Sequence, residues 1–167
     1  MRKDIYWLDG AWPGKLAVGP RPRGGDWLKD DIATWKREDI NTVLSLLTPE
    51  EEREMGLRDE ASEVRIQGIE FTSFPIPDLQ IPRSEAKWAE VLEKVSLALS
   101  SGKNVLVHCR QGIGRSGLVA ACLLVKKGMS PGAAVESVSA ARGLSVPETP
   151  EQRDWIEHYA VALAGMK

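Results

Sequence analysis

The chain has 167 residues, of which 43% are hydrophobic and 28% charged, and its formal net charge is −2 at pH 7. This length and composition are typical of one soluble domain, so we predict a single domain over residues 1–167. The near-zero net charge provides no basic field for holding nucleic acid. The longest uncharged apolar run, residues 117–125, is too short to span a membrane, so we expect neither partner.

The chain has too few cysteines and histidines for a fold held together by disulfides or by a structural zinc ion. Cys109 and Cys122 cannot build a disulfide framework, and two histidines without a CxxC pair argue against a structural zinc site. Free thiols indicate a reducing compartment. Asp4 and Asp9 interrupt the start of the chain before an apolar segment like that of a signal peptide forms. We therefore expect a cytoplasmic protein without a metal.

Strands and helices alternate from the first third of the chain onward. The Pro/Gly-rich residues 19–25 predict a surface loop. Residues 42–47 (TVLSLL) predict a buried strand and residues 71–76 (FTSFPI) a weaker one. Apolar residues then recur at helical spacing between Ser84, a suitable N-cap, and Gly102, a suitable stop.

The second half of the chain continues this alternation. Residues 104–109 (NVLVHC) predict a strand covered on both faces, and residues 116–128 are apolar nearly all round, as in a central buried helix. Ser130-Pro131 and Thr149-Pro150 each combine an N-cap with a proline at the first helical position. The pattern predicts a single α/β domain with a mostly parallel central sheet of four or five strands flanked by helices.

The loop after the strand at residues 104–109 has the composition of an anion site. Ligands of open α/β sheets bind beyond the carboxyl ends of the strands, where Cys109 lies. Gly112 and Gly114 allow the backbone N–H groups to turn inward, and the following helix adds its free N–H groups. A thiol at such a helix N-terminus ionises readily, and Arg115 offers a planar fork for a tetrahedral oxyanion. Together they predict nucleophilic attack on phosphorus.

This loop resembles the HCxxGxxR(S/T) motif of the cysteine-dependent protein phosphatases. The chain is similar to their compact dual-specificity class, and within it to the kinase-associated phosphatase subgroup. PIPDLQIP before the helix, SPGAAVESVSAARG after the loop and the ending TPEQRDWIEHY carry the similarity, which covers residues 16–167. The residues that match the motif are His108, Cys109, Arg110, Gln111, Gly112, Ile113, Gly114, Arg115 and Ser116.

The resemblance implies a role for each of four catalytic residues. Cys109 attacks the phosphate and forms a cysteinyl-phosphate intermediate, which water hydrolyses. Arg115 stabilises the equatorial oxygens together with the loop N–H groups of residues 110–114, and Ser116 donates to the departing thiolate. Asp78, on a proline-rich loop after the strand at residues 71–76, is the predicted general acid.

Several other polar residues have two interpretations each. Gln152 resembles a family glutamine near the hydrolytic water, but with Thr149 it also forms a capping-box pattern. Glu51 is either a carboxylate that supports Arg115 or, the interpretation we favour, part of a capping box with Thr48. His108 is expected to orient its neighbours rather than to transfer protons.

Three further residues are assigned by their surroundings in the sequence. Cys122 lies inside an apolar helix, so we expect it to pack rather than to act as a redox partner of Cys109. Arg21 and Arg23 are expected to lie on a solvated loop rather than to hold substrate.

Three functions compete at this point. The leading hypothesis is a cofactor-free phosphatase that acts on phosphorylated proteins, on phosphotyrosine and on phosphoserine or phosphothreonine. The alternatives are a phosphatase for a phosphoinositide or RNA, and a phosphate-binding protein without activity. The first alternative is weakened because the loop carries Arg110 and no lysine, and the second because Cys109, Arg115 and Asp78 are all present. The sequence gives no indication of the oligomeric state.

Overall fold

The structure is a computed structural model that describes residues 4–8, 10 and 12–166. Asp9, which forms part of the argument against a signal peptide, lies outside the described residues. A short 3₁₀ turn at Gly25–Trp27 precedes the first helix. The strands and α-helices of the described residues are, in chain order, β1 Tyr6–Trp7, β2 Leu16–Pro20, α1 Leu28–Arg37, β3 Thr42–Ser45, α2 Pro49–Glu54, α3 Glu60–Ile66, β4 Glu70–Ser73, α4 Glu85–Ser100, β5 Val105–Cys109, α5 Gly114–Lys126, α6 Pro131–Arg142 and α7 Pro150–Ala164.

The five strands form one mixed sheet in the order β1-β2-β5-β3-β4. Only β1 runs antiparallel, against β2, and the other pairs are parallel. The predicted mostly parallel α/β architecture is therefore confirmed. The predicted surface loop at residues 19–25 is wrong at its start, because Gly19 and Pro20 belong to β2 and pair in register with His108 and Cys109.

Capping residues set the bounds of several helices as predicted. The Ser84 hydroxyl accepts a hydrogen bond from the Lys87 N–H at the start of α4. Ser130 does the same for α6, with Pro131 at the first helical position. By contrast, β4 ends at Ser73 and does not include the predicted FPI, because prolines follow and lack the N–H groups that a ladder needs.

The two faces of the sheet are covered by different helices. Along β5, Val105 and Val107 face a core that includes the buried sides of α4, α5, α6 and α7. Leu106 faces the other way, into a second core formed with residues of α1 and α3. Since side chains alternate along a strand, this arrangement makes β5 buried on both faces. The strand that ends in Cys109 is thus fixed in the middle of the molecule.

The central helix α5 is buried along residues 114–125, which explains why it is apolar nearly all round. It begins at Gly114, two residues earlier than the sequence pattern predicted. In the described part of the chain, no helix combines the length and the apolar character that crossing a bilayer requires.

Candidate active site

Cys109 lies at the carboxyl end of the central strand, where the crevice of a parallel sheet is expected. Its neighbours β2 and β3 run parallel to β5 and end at the same edge. Only 2% of Cys109 is exposed, and its Sγ lies 3.3 Å from the hydroxyl oxygen of Ser116, which is fully buried. When the sulfur is a thiolate, this hydroxyl is placed to donate to it, as the predicted role of Ser116 requires.

The loop after Cys109 is shaped by Gly112. Gly112 has a φ of +75°, and a Cβ built on it would lie 2.4 Å from the carbonyl carbon of Gly19. The backbone of β2 therefore packs directly against the loop, and no other residue fits at this position. The Arg21 N–H extends the contact by donating to the Arg110 carbonyl at 3.3 Å. The loop is held as a compact turn between β5 and α5.

Glu148 and Gln152 border the start of α5. The Gly114 N–H, predicted to bind phosphate, donates to Glu148 Oε1 at 3.1 Å. Gln152 is fully buried and forms the capping box with Thr149, while its Nε2 donates to the Gln80 carbonyl at 3.1 Å. Both interpretations of Gln152 are compatible with this geometry, because the capping side chain also lies beside the loop, 3.0 Å from a Cβ built on Gly114.

Arg115 is held by a buried carboxylate. The guanidinium, 1% exposed, donates from Nη1 to Glu51 Oε1 at 2.6 Å and from Nη2 to Glu51 Oε2 at 2.9 Å. Nη1 also donates to the Ile76 carbonyl at 2.8 Å. Glu51 at the same time completes the capping box with Thr48. The favoured interpretation of Glu51 as a cap is thus incomplete, because the carboxylate performs both tasks.

The electrostatics of this pair follow from burial and hydrogen bonding. Burial would raise the pKa of Glu51, but the hydrogen bonds from Arg115 and Thr48 outweigh it and hold the pKa below its usual value. Burial would lower the pKa of Arg115, but the hydrogen bond to Glu51 and the neighbouring Cys109 and Asp78 raise it. Arg115 is therefore a fixed positive charge beside the cysteine.

Asp78 contacts the same arginine from the loop that follows β4. Its Oδ1 accepts a hydrogen bond from Arg115 Nη2 at 3.1 Å, and its side chain is 42% exposed. The loop that carries it leaves β4 through Pro75 and Pro77, whose fixed φ angles restrict its course. The structure thus brings the predicted acid to the edge of the sheet where Cys109 lies.

His108 points away from the loop into the core of the α1–α3 side. Its ring is fully buried, its Nε2 lies 2.5 Å from Glu60 Oε2, and the ring of Trp35 packs 5.8 Å away between centroids. Glu60 is 1% exposed. The buried pair fixes the orientation of the residue before Cys109, as expected of a supporting histidine.

Arg142, at the end of α6, clamps the loop from outside. Its guanidinium donates to the carbonyls of Gly112 at 3.0 Å and Gln111 at 3.1 Å, and it lies 4.1 Å above the ring of Tyr6. A peptide unit whose carbonyl is held outward presents the following N–H on the other side. Arg142 therefore supports the inward orientation of the predicted phosphate-binding N–H groups.

The remaining predicted residues lie as follows. Arg110 and Gln111 are exposed on the loop, and Ile113 is half-buried at the N-cap of α5. Arg23 forms an ion pair with Asp31 at 2.7 Å, which agrees with the loop interpretation. Cys122 is fully buried, and burial raises the pKa of its thiol.

A cleft of about 780 Å³ opens beside this constellation. Asp78 and Arg110 lie in its walls, so it is continuous with the candidate active site. The other residues that line it are Thr48, Pro49, Glu50, Glu51, Ser73, Phe74, Pro75, Pro77, Arg83, Ser84 and Lys87. Among the described residues, no group of three His, Cys, Asp or Glu side chains is arranged to hold a metal ion.

With this geometry established, comparison with known proteins assigns the family. The family model described as "Swiss Army Knife protein, DSP-PTPase phosphatase domain" matches residues 6–157. The chain belongs to this family. It is a dual-specificity phosphatase domain of the cysteine-dependent class.

Individual relatives agree with the family. Cyclin-dependent kinase inhibitor 3 of Rattus norvegicus is 35% identical over 99 residues, which cover 58% of this chain and 46% of the relative. The chain spans about half the length of the curated relatives it matches.

Two solved structures extend the similarity over nearly the whole fold. Kinase associated phosphatase, in a form whose catalytic-site cysteine is replaced by serine, gives a TM-score of 0.90 at 25% identity and covers 98% of this chain and 97% of that one. Tk-PTP in its active form gives a TM-score of 0.79 at 28% identity, with coverage of 96% and 99%.

Sequence reasoning missed three residues of this site, namely Glu60, Arg142 and Glu148. Glu60 lies in a polar helix with no motif around it, so the sequence carried no signal for its contact with His108. Arg142 is the last residue of a correctly predicted helix, where a basic side chain is ordinary. Glu148 precedes the recognised capping box, and only its position next to the loop distinguishes it.

Proposed function

We propose that the protein hydrolyses phosphomonoesters on phosphorylated proteins through a cysteinyl-phosphate intermediate, with Cys109 as the nucleophile. The observation that supports this most directly is the convergence of three groups on one point of the sheet edge. Arg115 is within hydrogen-bond reach of Asp78, and Cys109 contacts Ser116 one residue along α5. A nucleophile, a fixed cation and an acid at one site are the parts that phosphoryl transfer to a thiol needs.

The reaction proceeds in two steps. The thiolate of Cys109 attacks phosphorus, the bond from phosphorus to the ester oxygen breaks, and Asp78 gives its proton to the departing oxygen. Water then attacks the cysteinyl phosphate and gives a proton to Asp78, the S–P bond breaks, and inorganic phosphate leaves. Arg115 and the loop N–H groups stabilise the equatorial oxygens in both steps, and Ser116 donates to the released thiolate.

The proposed substrate range rests on the dual-specificity family and on the cleft beside Cys109. The described residues give the cleft walls from α2, the Asp78 loop, the start of α4 and the loop after Cys109. We propose a site that accepts phosphotyrosine and, more slowly, phosphothreonine or phosphoserine, on a protein in the cytoplasm. The two free cysteines are consistent with that reducing compartment. The mechanism assigns every step to side chains and uses no cofactor.

The test compares the wild-type protein with Cys109→Ser on a phosphotyrosine peptide and on an aryl phosphate. The wild type should release phosphate in the presence of EDTA, and Cys109→Ser should bind the peptide without turnover, because a hydroxyl is a much weaker nucleophile than a thiol. Turnover by Cys109→Ser near the wild-type rate would refute the cysteinyl-phosphate mechanism. Binding without turnover by the wild type would identify a phosphate-binding protein instead.

A further inference from the structure

The cleft beside the active site is lined by both cations and carboxylates, but among the described residues only the carboxylates form ion pairs. Three exposed cations line it: Arg110 from the loop after Cys109, and Arg83 and Lys87 from the start of α4. In the described part of the chain, none of the three forms an ion pair with a carboxylate. Two separate elements thus supply positive charge that no neighbour neutralises.

The carboxylates of the same cleft are all engaged by arginines. Glu51 is held by both terminal nitrogens of Arg115, and Asp78 by one of them. Glu50 pairs with Arg53 at 3.9 Å along α2. The 16-residue helix α4 also begins at the cleft, where Glu85 in its first turn offsets the positive end of the helix dipole. Among the described charged residues that line the cleft, the cations are therefore the ones without an ion-pair partner.

We propose that this cleft is a second anion subsite, which selects phosphopeptides that carry an acidic side chain within three residues of the phosphorylated residue. The inference rests on the proposed function, because it places the reacting phosphate at Cys109 and the second anion near Arg83 and Lys87. The two cations act as specificity-determining residues. A carboxylate or a second phosphate on the same peptide satisfies them while the ester is held at the loop.

The rest of the lining favours a peptide over other polyanions. Phe74, Pro75 and Pro77 form the apolar part of the lining. Apolar surface of this kind packs against aliphatic and aromatic side chains, which a peptide has and a sugar phosphate lacks. Consecutive residues of an extended peptide are about 3.3 Å apart, so three residues span about 10 Å. The proposal takes this span as the reach of the peptide along the cleft.

The experiment uses matched phosphotyrosine peptides whose flanks are alanine, glutamate on the N-terminal side, or glutamate on the C-terminal side. For the wild type, kcat/KM on at least one of the two glutamate peptides should exceed kcat/KM on the alanine peptide about tenfold, which two exposed ion pairs can supply. The preference should shrink in 0.5 M salt, since exposed pairs are screened. In Arg83→Gln/Lys87→Gln the ratio of the two kcat/KM values should fall towards 1.

A matched control removes two cations elsewhere. Lys15 precedes β2 and Lys127 follows α5, so both are exposed at the edge of the sheet opposite the site. Lys15→Gln/Lys127→Gln changes the net charge equally and should keep the tenfold preference. If this control loses the preference as the cleft variant does, the effect is long-range charge and the subsite proposal is wrong.

Binding to Cys109→Ser separates this proposal from the phosphatase mechanism. The dissociation constants of the same peptides, measured by fluorescence anisotropy, should show the same preference without any turnover. Equal affinities for alanine and glutamate peptides, or no binding of either, overturn the subsite even if the wild type hydrolyses aryl phosphates. If Arg83→Gln/Lys87→Gln slows hydrolysis of a soluble phosphoinositide while no peptide preference exists, the cations serve a lipid headgroup and the peptide proposal is wrong.

Discussion

Glu51 both completes the cap of α2 and holds Arg115, and two substitutions separate these two roles. Glu51→Gln removes the charge that faces Arg115, a side chain that is only 1% exposed and donates to both carboxylate oxygens at 2.6 and 2.9 Å. Removing one partner of a buried ion pair costs up to about 3–5 kcal/mol, and the remaining hydrogen bond from Arg115 to the partly exposed Asp78 offsets part of this loss. Thr48→Ala removes the cap hydroxyl and leaves the pair intact, which costs about 1 kcal/mol.

The two variants should differ in activity as well as in stability. Thr48→Ala should keep kcat/KM on an aryl phosphate within about twofold, since the guanidinium stays in place. Glu51→Gln should lower it by about 10², the usual cost of displacing a catalytic group by about 1 Å. Urea unfolding followed by tryptophan fluorescence gives the stability, and the same preparations give the kinetics. Equal losses of stability in both variants with unchanged activity would show that Glu51 is only a helix cap.

The pair also predicts a pH dependence with a definite sign. The folded-state pKa of Glu51 lies below its ordinary value of 4.5, so the pair contributes stability that is fully present above that pH. The contribution is lost as the pH falls through the folded-state pKa. The difference in unfolding free energy between the wild type and Glu51→Gln should therefore be constant above about pH 6 and shrink in acid. A difference that grows in acid would contradict the assigned ion pair.

The remaining predictions concern the acid, the loop clamp and the second cysteine. Asp78→Asn should lower kcat/KM on phosphopeptides by about 10² to 10⁴ and much less on a strongly activated aryl phosphate, which leaves unaided; equal losses on both would remove Asp78 as the acid. Arg142→Ala should weaken inhibition by inorganic phosphate and lower kcat by about tenfold, since the two loop carbonyls lose their donor; unchanged phosphate inhibition would make Arg142 a surface residue. Iodoacetate should label Cys109, which lies at the edge of the sheet, faster than Cys122, whose thiol pKa is raised by burial inside α5, and peptide mapping by mass spectrometry checks this; equal labelling would contradict the assignment of Cys109 as the reactive thiol.

The parts of the site that the residues alone predicted lie close together in the chain, whereas the distant Asp78 was predicted from the family resemblance and Glu51 only as one of two interpretations. Cys109, Arg115 and Ser116 occupy one strand–loop–helix segment, so their proximity follows from local geometry. The contacts that it did not predict join distant segments: His108 and Glu60 are 48 residues apart, and Arg142 and Gly112 are 30 apart. Such partners depend on how the helices pack against the sheet, which hydrophobic periodicity does not specify.

The same reasoning explains why β1, β2 and α3 were missed, but not the ten-residue helix α1, which was also not predicted. β1 has two residues and α3 seven, and neither has a hydrophobic period long enough to distinguish it from a loop. β2 is fully apolar only over residues 16–18 and then runs into the glycine and proline that predicted a loop. Its pairing with β5 overrides that local signal, because Gly19 and Pro20 continue a ladder whose register the buried residues before them fix.

Glu51 and Gln152 each cap a helix and contact a neighbouring part of the site with the same side chain. A carboxylate has about four lone-pair sites, so Glu51 accepts from the Thr48 N–H and from both terminal nitrogens of Arg115 at once. Gln152 likewise accepts from the Thr149 N–H with its oxygen and donates with its nitrogen to the Gln80 carbonyl. A helix cap at the edge of a site serves folding and positioning with the same side chain.

Two carboxylates of the chain lie at donors of the proposed anion site. Asp78 accepts from Arg115 Nη2 and Glu148 from the Gly114 N–H, both donors that the proposed mechanism assigns to the substrate phosphate. On the proposed mechanism a phosphate at the loop takes over both donors, so Asp78 leaves the arginine and Glu148 leaves the Gly114 N–H. The displaced Asp78 side chain stays on its proline-restricted loop, next to the ester oxygen that needs a proton. On this mechanism, binding of the phosphate and placement of the acid are one event, and the partly exposed Asp78 is the group free to move.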